Sequence, residues 1–283
     1  MQEANTNPLR IGRALTLSVY VLWQNFQPFA LLALLSYAPA ILIDAIVPAP
    51  DPLAAGDPLP SHIAWSVLVL GLAALALSAY LSAVVSCKTV ADLCATPMRH
   101  CEARRDAWNA LPAVLGLISI VVLIGLAVTF IAAIVWAVAS MLTTGDPTSS
   151  LGYALLPLIA VPAFVLVVLF AVAIPAAVVE NLSATDALRR SVALTAGSRW
   201  QIAGILVVLA VLGFIANAIP FGITTLLFGV EATATTVSTL VGYLVSVPFV
   251  ALSWVAMAVI YYVLRAVAEQ RANATSDFVA PAP

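Results

Sequence analysis

The chain has 283 residues, of which 63% are hydrophobic and 8% charged, with a mean hydropathy of +1.10. Soluble domains carry about 25% charged residues, so the composition excludes an ordinary soluble domain. The formal net charge of −2 hides a strongly uneven placement of the positive residues.

A spanning helix needs about 20 mostly apolar residues, because the hydrocarbon core is about 30 Å thick and a helix rises about 1.5 Å per residue. The chain opens with NPLRIGRALTLSVYVLWQNFQP, where Asn7 can cap a helix and Pro8 suits its first position. Arg10, Arg13, Tyr20, Gln24 and Gln27 share one side of that helix. Thr16, Gln24, Asn25 and Gln27 interrupt any compact apolar region, so a cleaved signal peptide fits poorly. Spans are predicted next at Pro28–Val47 and Ile63–Cys87. TPMRHCEARRDAWNALP repeats the start signal at Thr96 and Pro97, with its charges spread more widely, and leads to a span at Leu111–Leu142.

A fourth span is predicted at Leu151–Val179, and PAAVVENLSATDALRRSVALTAGSRWQIAG runs from its end into the fifth. There Ser183 is an N-cap, Asp186 closes a capping box, and Gly197 can take the left-handed position after the last turn. Asp186, Arg189 and Arg190 fall within about a 100° arc, which predicts an amphipathic helix along the membrane surface, its arginines at anionic headgroups. Spans at Trp200–Phe228 and Thr236–Leu264 complete a set of six.

All eleven Lys and Arg residues lie before span one, between spans two and three, between four and five, or after six. The other three loops carry Asp51, Asp57, Asp146 and Glu231 and no positive residue. By the positive-inside rule, both termini and the two long loops face the cytoplasm. Candidate headgroup contacts are Arg10, Arg13, Arg104, Arg105, Arg189, Arg190 and Arg199. Beyond them there is no basic patch for nucleic acid.

The caps Asn7, Thr96 and Ser183 are 89 and 87 residues apart, and GDP at Gly56–Pro58 recurs 89 residues on at Gly145–Pro147. Each surface helix leads to a tryptophan, Trp23, Trp108 or Trp200, and then to an outward span. The expected architecture is therefore all-α, a single six-span domain over 1–271. It comprises three amphipathic-helix-plus-hairpin repeats, about 7–95, 96–182 and 183–271, with 272–283 a short disordered tail.

The run from Pro175 through Trp200 resembles the signature of the bacterial glycerophosphoryl diester phosphodiesterase membrane-domain family and of related uncharacterised six-span inner-membrane proteins. The matching positions are Pro175, Glu180, Ala187, Leu188, Arg190, Ser191 and Trp200. In that family, hydrolysis belongs to a separate soluble barrel domain, for which this chain has no room. The resemblance implies a multi-pass protein of the bacterial inner membrane, associated with lipids, and carries over no catalytic residue.

Motifs for chemistry are absent from the sequence. Cys87, Cys94 and Cys101 are spaced seven apart, too far along a helix to share one metal. His62 and His100 fall on opposite sides of the membrane. Asp44 is either an interfacial acid or a buried functional one. Asn217 and Pro220, near the middle of span five, either belong to interhelical packing or line a cavity among helices interrupted by Pro39, Pro162 and Pro248. The sequence therefore points to a non-enzymatic, cofactor-free membrane protein that binds lipid or organises the bilayer, with anionic phospholipids as partners. The alternatives are a carrier for a small or apolar solute near Asn217, and an accessory subunit held by another membrane protein or a second copy.

Overall fold

The computed structural model describes residues 11–46, 61–95, 100–144, 156–228 and 236–279. Every regular element among them is a helix. In chain order these are α1 (Ile11–Gln24), α2 (Phe26–Ser36), α3 (Ala38–Ile46), α4 (Ser61–Leu93) and α5 (His100–Thr144). They are followed by α6 (Leu156–Phe170), α7 (Ala173–Val179), α8 (Ala184–Thr195), α9 (Arg199–Phe228) and α10 (Thr236–Val279). Six stretches are long and apolar enough to cross a membrane: Phe26–Asp44, Trp65–Leu93, Glu102–Val135, Val161–Val179, Arg199–Ile223 and Leu240–Gln270. Each overlaps one of the six apolar runs in the sequence. The protein is an all-helical, multi-pass membrane protein.

Helices are the outcome because a chain in lipid must satisfy its backbone polar groups internally. Where that ladder breaks, a proline stands close by. Asn25 separates α1 from α2, with Pro28 removing the donor that Gln24 would accept from. Tyr37 separates α2 from α3, two residues before Pro39, and its N–H falls back to the Leu34 carbonyl at 3.1 Å. Span four breaks at residues 171–172, between α6 and α7, just ahead of Pro175. Pro162 and Pro248, expected as interruptions, lie inside unbroken helices, since a proline removes one bond without obliging the helix to end. Pro220 likewise falls within the continuous α9.

Two further boundaries differ from expectation. The second surface helix is not separate: α5 runs unbroken from His100 through Pro112 into the span. Its Ala103, Ala107, Ala110, Val114 and Leu117 form one buried seam, alternating steps of four and three, and that seam continues across the expected boundary. The last helix continues to Val279 through AVAEQRANA, mostly good helix formers, into the segment expected as a tail. Asn7, Pro8, Thr96, Pro97 and both GDP triplets lie outside the described residues.

Helix α10 is the centre of the bundle. Val247, Ala251, Val255 and Val259 on one side pack with Val21, Leu22, Phe29 and Ala33 of α1 and α2. Ala256, Ile260, Tyr261 and Leu264 on another pack with Ile202, Ile205 and Leu209 of α9. A third cluster joins Ala79 and Ala83 of α4 to Ala103 and Ala107 of α5, Ala173 and Ala177 of α7, and Ala187 of α8. Lipid tails are as apolar as leucine, so hydrophobicity alone does not associate spans, and small residues that let backbones approach are what such a bundle needs. Burial concentrates toward the arginine-bearing ends of the spans. Beyond Leu117, α5 exposes Leu123, Leu126, Phe130, Ile131 and Met141.

Candidate functional site

The stretch that resembles a family signature folds as a stop–start device. At the end of α7, Asn181 adopts φ 51°, and the Leu182 N–H bonds the Ala177 carbonyl at 3.0 Å. This is a Schellman stop with Asn in place of Gly. Leu182 then packs on the alanine-rich cluster, and Ser183 starts the next helix. Its hydroxyl accepts from the Asp186 N–H at 3.3 Å and donates to the Asp186 carboxylate at 2.6 Å. Gly197, at φ 88°, ends α8 as expected.

Within this device Glu180 is the hub. The Arg190 Nε reaches both of its carboxylate oxygens, at 3.0 and 3.2 Å, and the buried Tyr261 hydroxyl donates to Oε1 at 2.8 Å. Span four, α8 and the final helix are thereby tied by one carboxylate. One residue on, the Ser191 hydroxyl donates to the Leu169 carbonyl at 2.7 Å, next to the break in span four. Ala187 is buried against α5, whereas Trp200 stands 91% exposed and apart from the rest of the motif.

Among the candidate headgroup arginines, Arg13, Arg104, Arg105, Arg189 and Arg199 are exposed, while Arg10 lies outside the described residues. Arg189 stands 3.9 Å from Asp186 with an open side chain. Arg190 differs, because its guanidinium is turned inward to Glu180. Nearby, Asp92 accepts from Lys88 at 2.6 Å and from Asn25 at 3.1 Å, which pins the α1–α2 joint to the end of α4. Neither Tyr261 nor the Asn25–Asp92 bond was singled out in the sequence, because their partners are 81 and 67 residues away.

Two polar residues of the spans, Asn217 and Asp44, pair between helices. Asn217 accepts from the Ser246 hydroxyl at 2.9 Å and donates to the Gly213 carbonyl at 2.8 Å. Asp44 accepts from the Tyr243 hydroxyl at 2.7 Å, and the Tyr243 ring packs against Tyr37 with centroids 4.9 Å apart.

Two of the cavities lined by described residues lie elsewhere. The larger, about 610 Å³, is bordered by α2, α3, α4, α5, the break in span four, and α10. Its wall is mainly apolar, with Tyr37, Ala74, Ile118, Ile174 and Trp254 among the lining residues and Ser78, Ser82 and Ser86 stacked at i+4 along α4. The hydroxyls of Ser82 and Ser86 bond back to the Ala79 and Ser82 carbonyls of their own helix, at 2.9 and 2.8 Å. The α4 lining runs from Gly71 to Ser86, roughly 22 Å along the axis at 1.5 Å per residue. The smaller cavity, about 420 Å³, is more polar and is lined by Asp106, Asn109, Asn181 and Arg265 together with Cys87 and Cys94. Asn217 lines neither.

No family model matches this chain, and no match was found among curated proteins or solved structures.

Proposed function

We propose that this is a multi-pass protein of the bacterial inner membrane that binds phospholipid without catalysing a reaction. The observation that carries the reading is the 610 Å³ cavity bordered by five of the six apolar stretches. Ligand cavities run from about 300 to 1,000 Å³ with mainly apolar linings. The cavity's extent of roughly 22 Å exceeds the thickness of one leaflet, half of about 30 Å, so an acyl chain fits it lengthwise.

The exposed arginines support the same reading. Arg13, Arg104, Arg105, Arg189 and Arg199 sit at the span ends that the positive-inside rule assigns to the cytoplasm, where a nearby basic residue contributes about 1 kcal/mol toward an anionic surface. Trp23, Trp108 and Trp200 are exposed at those ends, as headgroup-level tryptophans are. In this arrangement both termini are cytoplasmic and the chain is three parallel repeats. The family resemblance of Pro175–Trp200 points to the same compartment.

Mass spectrometry of protein purified in native lipid tests the reading. Wild type retains phospholipid, and Ala74→Trp, which puts an indole into the cavity and narrows it, lowers its occupancy at least about tenfold, or 1.4 kcal/mol. Equal occupancy in the two proteins would refute it.

A further inference from the structure

Resting on the lipid-binding reading, we infer that the smaller cavity is a headgroup pocket selecting a phospholipid with a primary ammonium beside its phosphate, the phosphoethanolamine pattern. The first argument is position. Along three helical segments the two cavities follow one another toward the arginine-bearing end. On α4 the apolar lining ends at Ser86 and the polar lining begins at Cys87. In span four the apolar lining ends at Pro175, and Val178, Val179 and Asn181 belong to the polar one. On α10 Met257 lines the first and Arg265 the second. A polar cavity at the headgroup end of an apolar one is the distribution an amphiphile requires.

The second argument is charge. Among the described lining residues Arg265 is the one cation and Asp106 the one anion, with the amides of Asn109 and Asn181 between donor and acceptor roles. Glu269 accepts the Arg265 Nε at 2.8 Å and the Tyr261 hydroxyl also meets the guanidinium; of its five N–H donors this still leaves some for a phosphate. Among the described residues no ion pair holds Asp106. A purely anionic headgroup meets the Asp106 carboxylate, and a purely cationic one meets Arg265. A choline headgroup balances the charges but has no N–H to give to a carboxylate. The ethanolamine ammonium has three.

The test uses the full chain in nanodiscs of equal phosphatidylethanolamine, phosphatidylcholine and phosphatidylglycerol, with retained lipid counted by native mass spectrometry. Wild type keeps phosphatidylethanolamine in preference to the other two by about tenfold. Asp106→Asn removes the preference over phosphatidylcholine, and Arg265→Gln lowers retention of all three, each with an unchanged unfolding midpoint. Retention without headgroup preference, or a preference that survives Asp106→Asn, overturns the pocket assignment and leaves the apolar cavity reading standing. Retention unaffected by Ala74→Trp overturns that cavity reading instead. Soluble phosphoethanolamine, lacking a tail, displaces the lipid poorly; displacement at equal concentration would give the pocket to the free compound.

Discussion

Arg189 and Arg190 are neighbours in sequence, about 100° apart around α8, and their tasks diverge. Arg189 is solvent-facing beside an exposed Asp186, where an ion pair contributes about 0–1 kcal/mol. Arg190 is half-buried against a mostly buried Glu180 that also receives Tyr261. Removing one partner of such a pair leaves a charge uncompensated, and with partial exposure taken into account the cost is about 1–3 kcal/mol. Arg190→Gln is therefore expected to lower stability in a denaturation titration in lipid by that amount, and Arg189→Gln to leave it unchanged. The reverse order should hold for binding to anionic vesicles, where the open arginine matters. Equal effects of the two substitutions on stability would show that Glu180 is not the hub. Sequence periodicity placed both arginines on one arc, and no local pattern could separate them. Their difference comes from Tyr261 and Glu180, which only the folded chain brings together.

At the scale of the element, α8 was the most legible part of the chain, because its start and stop are local chemistry: Ser183, Asp186 and Gly197 act on backbone groups within a few residues. Its setting was less legible. An amphipathic helix was expected, and α8 is one, burying Ala187, Ser191, Leu194 and Thr195 against the bundle while Arg189 stays open. Gly116 of α5 is part of the reason: a Cβ there would stand 3.3 Å from the Ala184 Cβ, so the glycine permits the close approach. Gly116→Leu is expected to lift the start of α8 from α5. Hydrogen exchange over 184–195 should then accelerate more than over α4, and uniform exchange across both helices would contradict this docking. The joint between α5 and the expected surface helix was misjudged for a similar reason, since the 103–117 seam is set by what faces it and not by the charges on its other side.

Over the whole molecule, the distribution of positive charge makes a prediction independent of side-chain detail. With Cys87, Cys94 and Cys101 changed to alanine, single cysteines at Asp57 and Asp146 should react with an impermeant maleimide added outside intact cells. Single cysteines at Arg105 and Arg189 should react only after the membrane is opened. Labelling from outside at positions 105 and 189 but not at 57 and 146 would reverse the orientation assigned to the arginine-bearing end. The sequence by itself determined the six apolar stretches and the Ser183 and Gly197 caps of α8, because each follows from hydropathy or from local hydrogen bonding over a short segment. Tertiary structure alone decided that Arg190 serves Glu180, that Asn217 meets Ser246, and that an apolar and a polar cavity follow one another along α4 and α10. Those depend on residues far apart in the chain, and helix–helix packing in lipid, driven by close fit instead of hydrophobic contrast, leaves little periodic trace in the sequence to read.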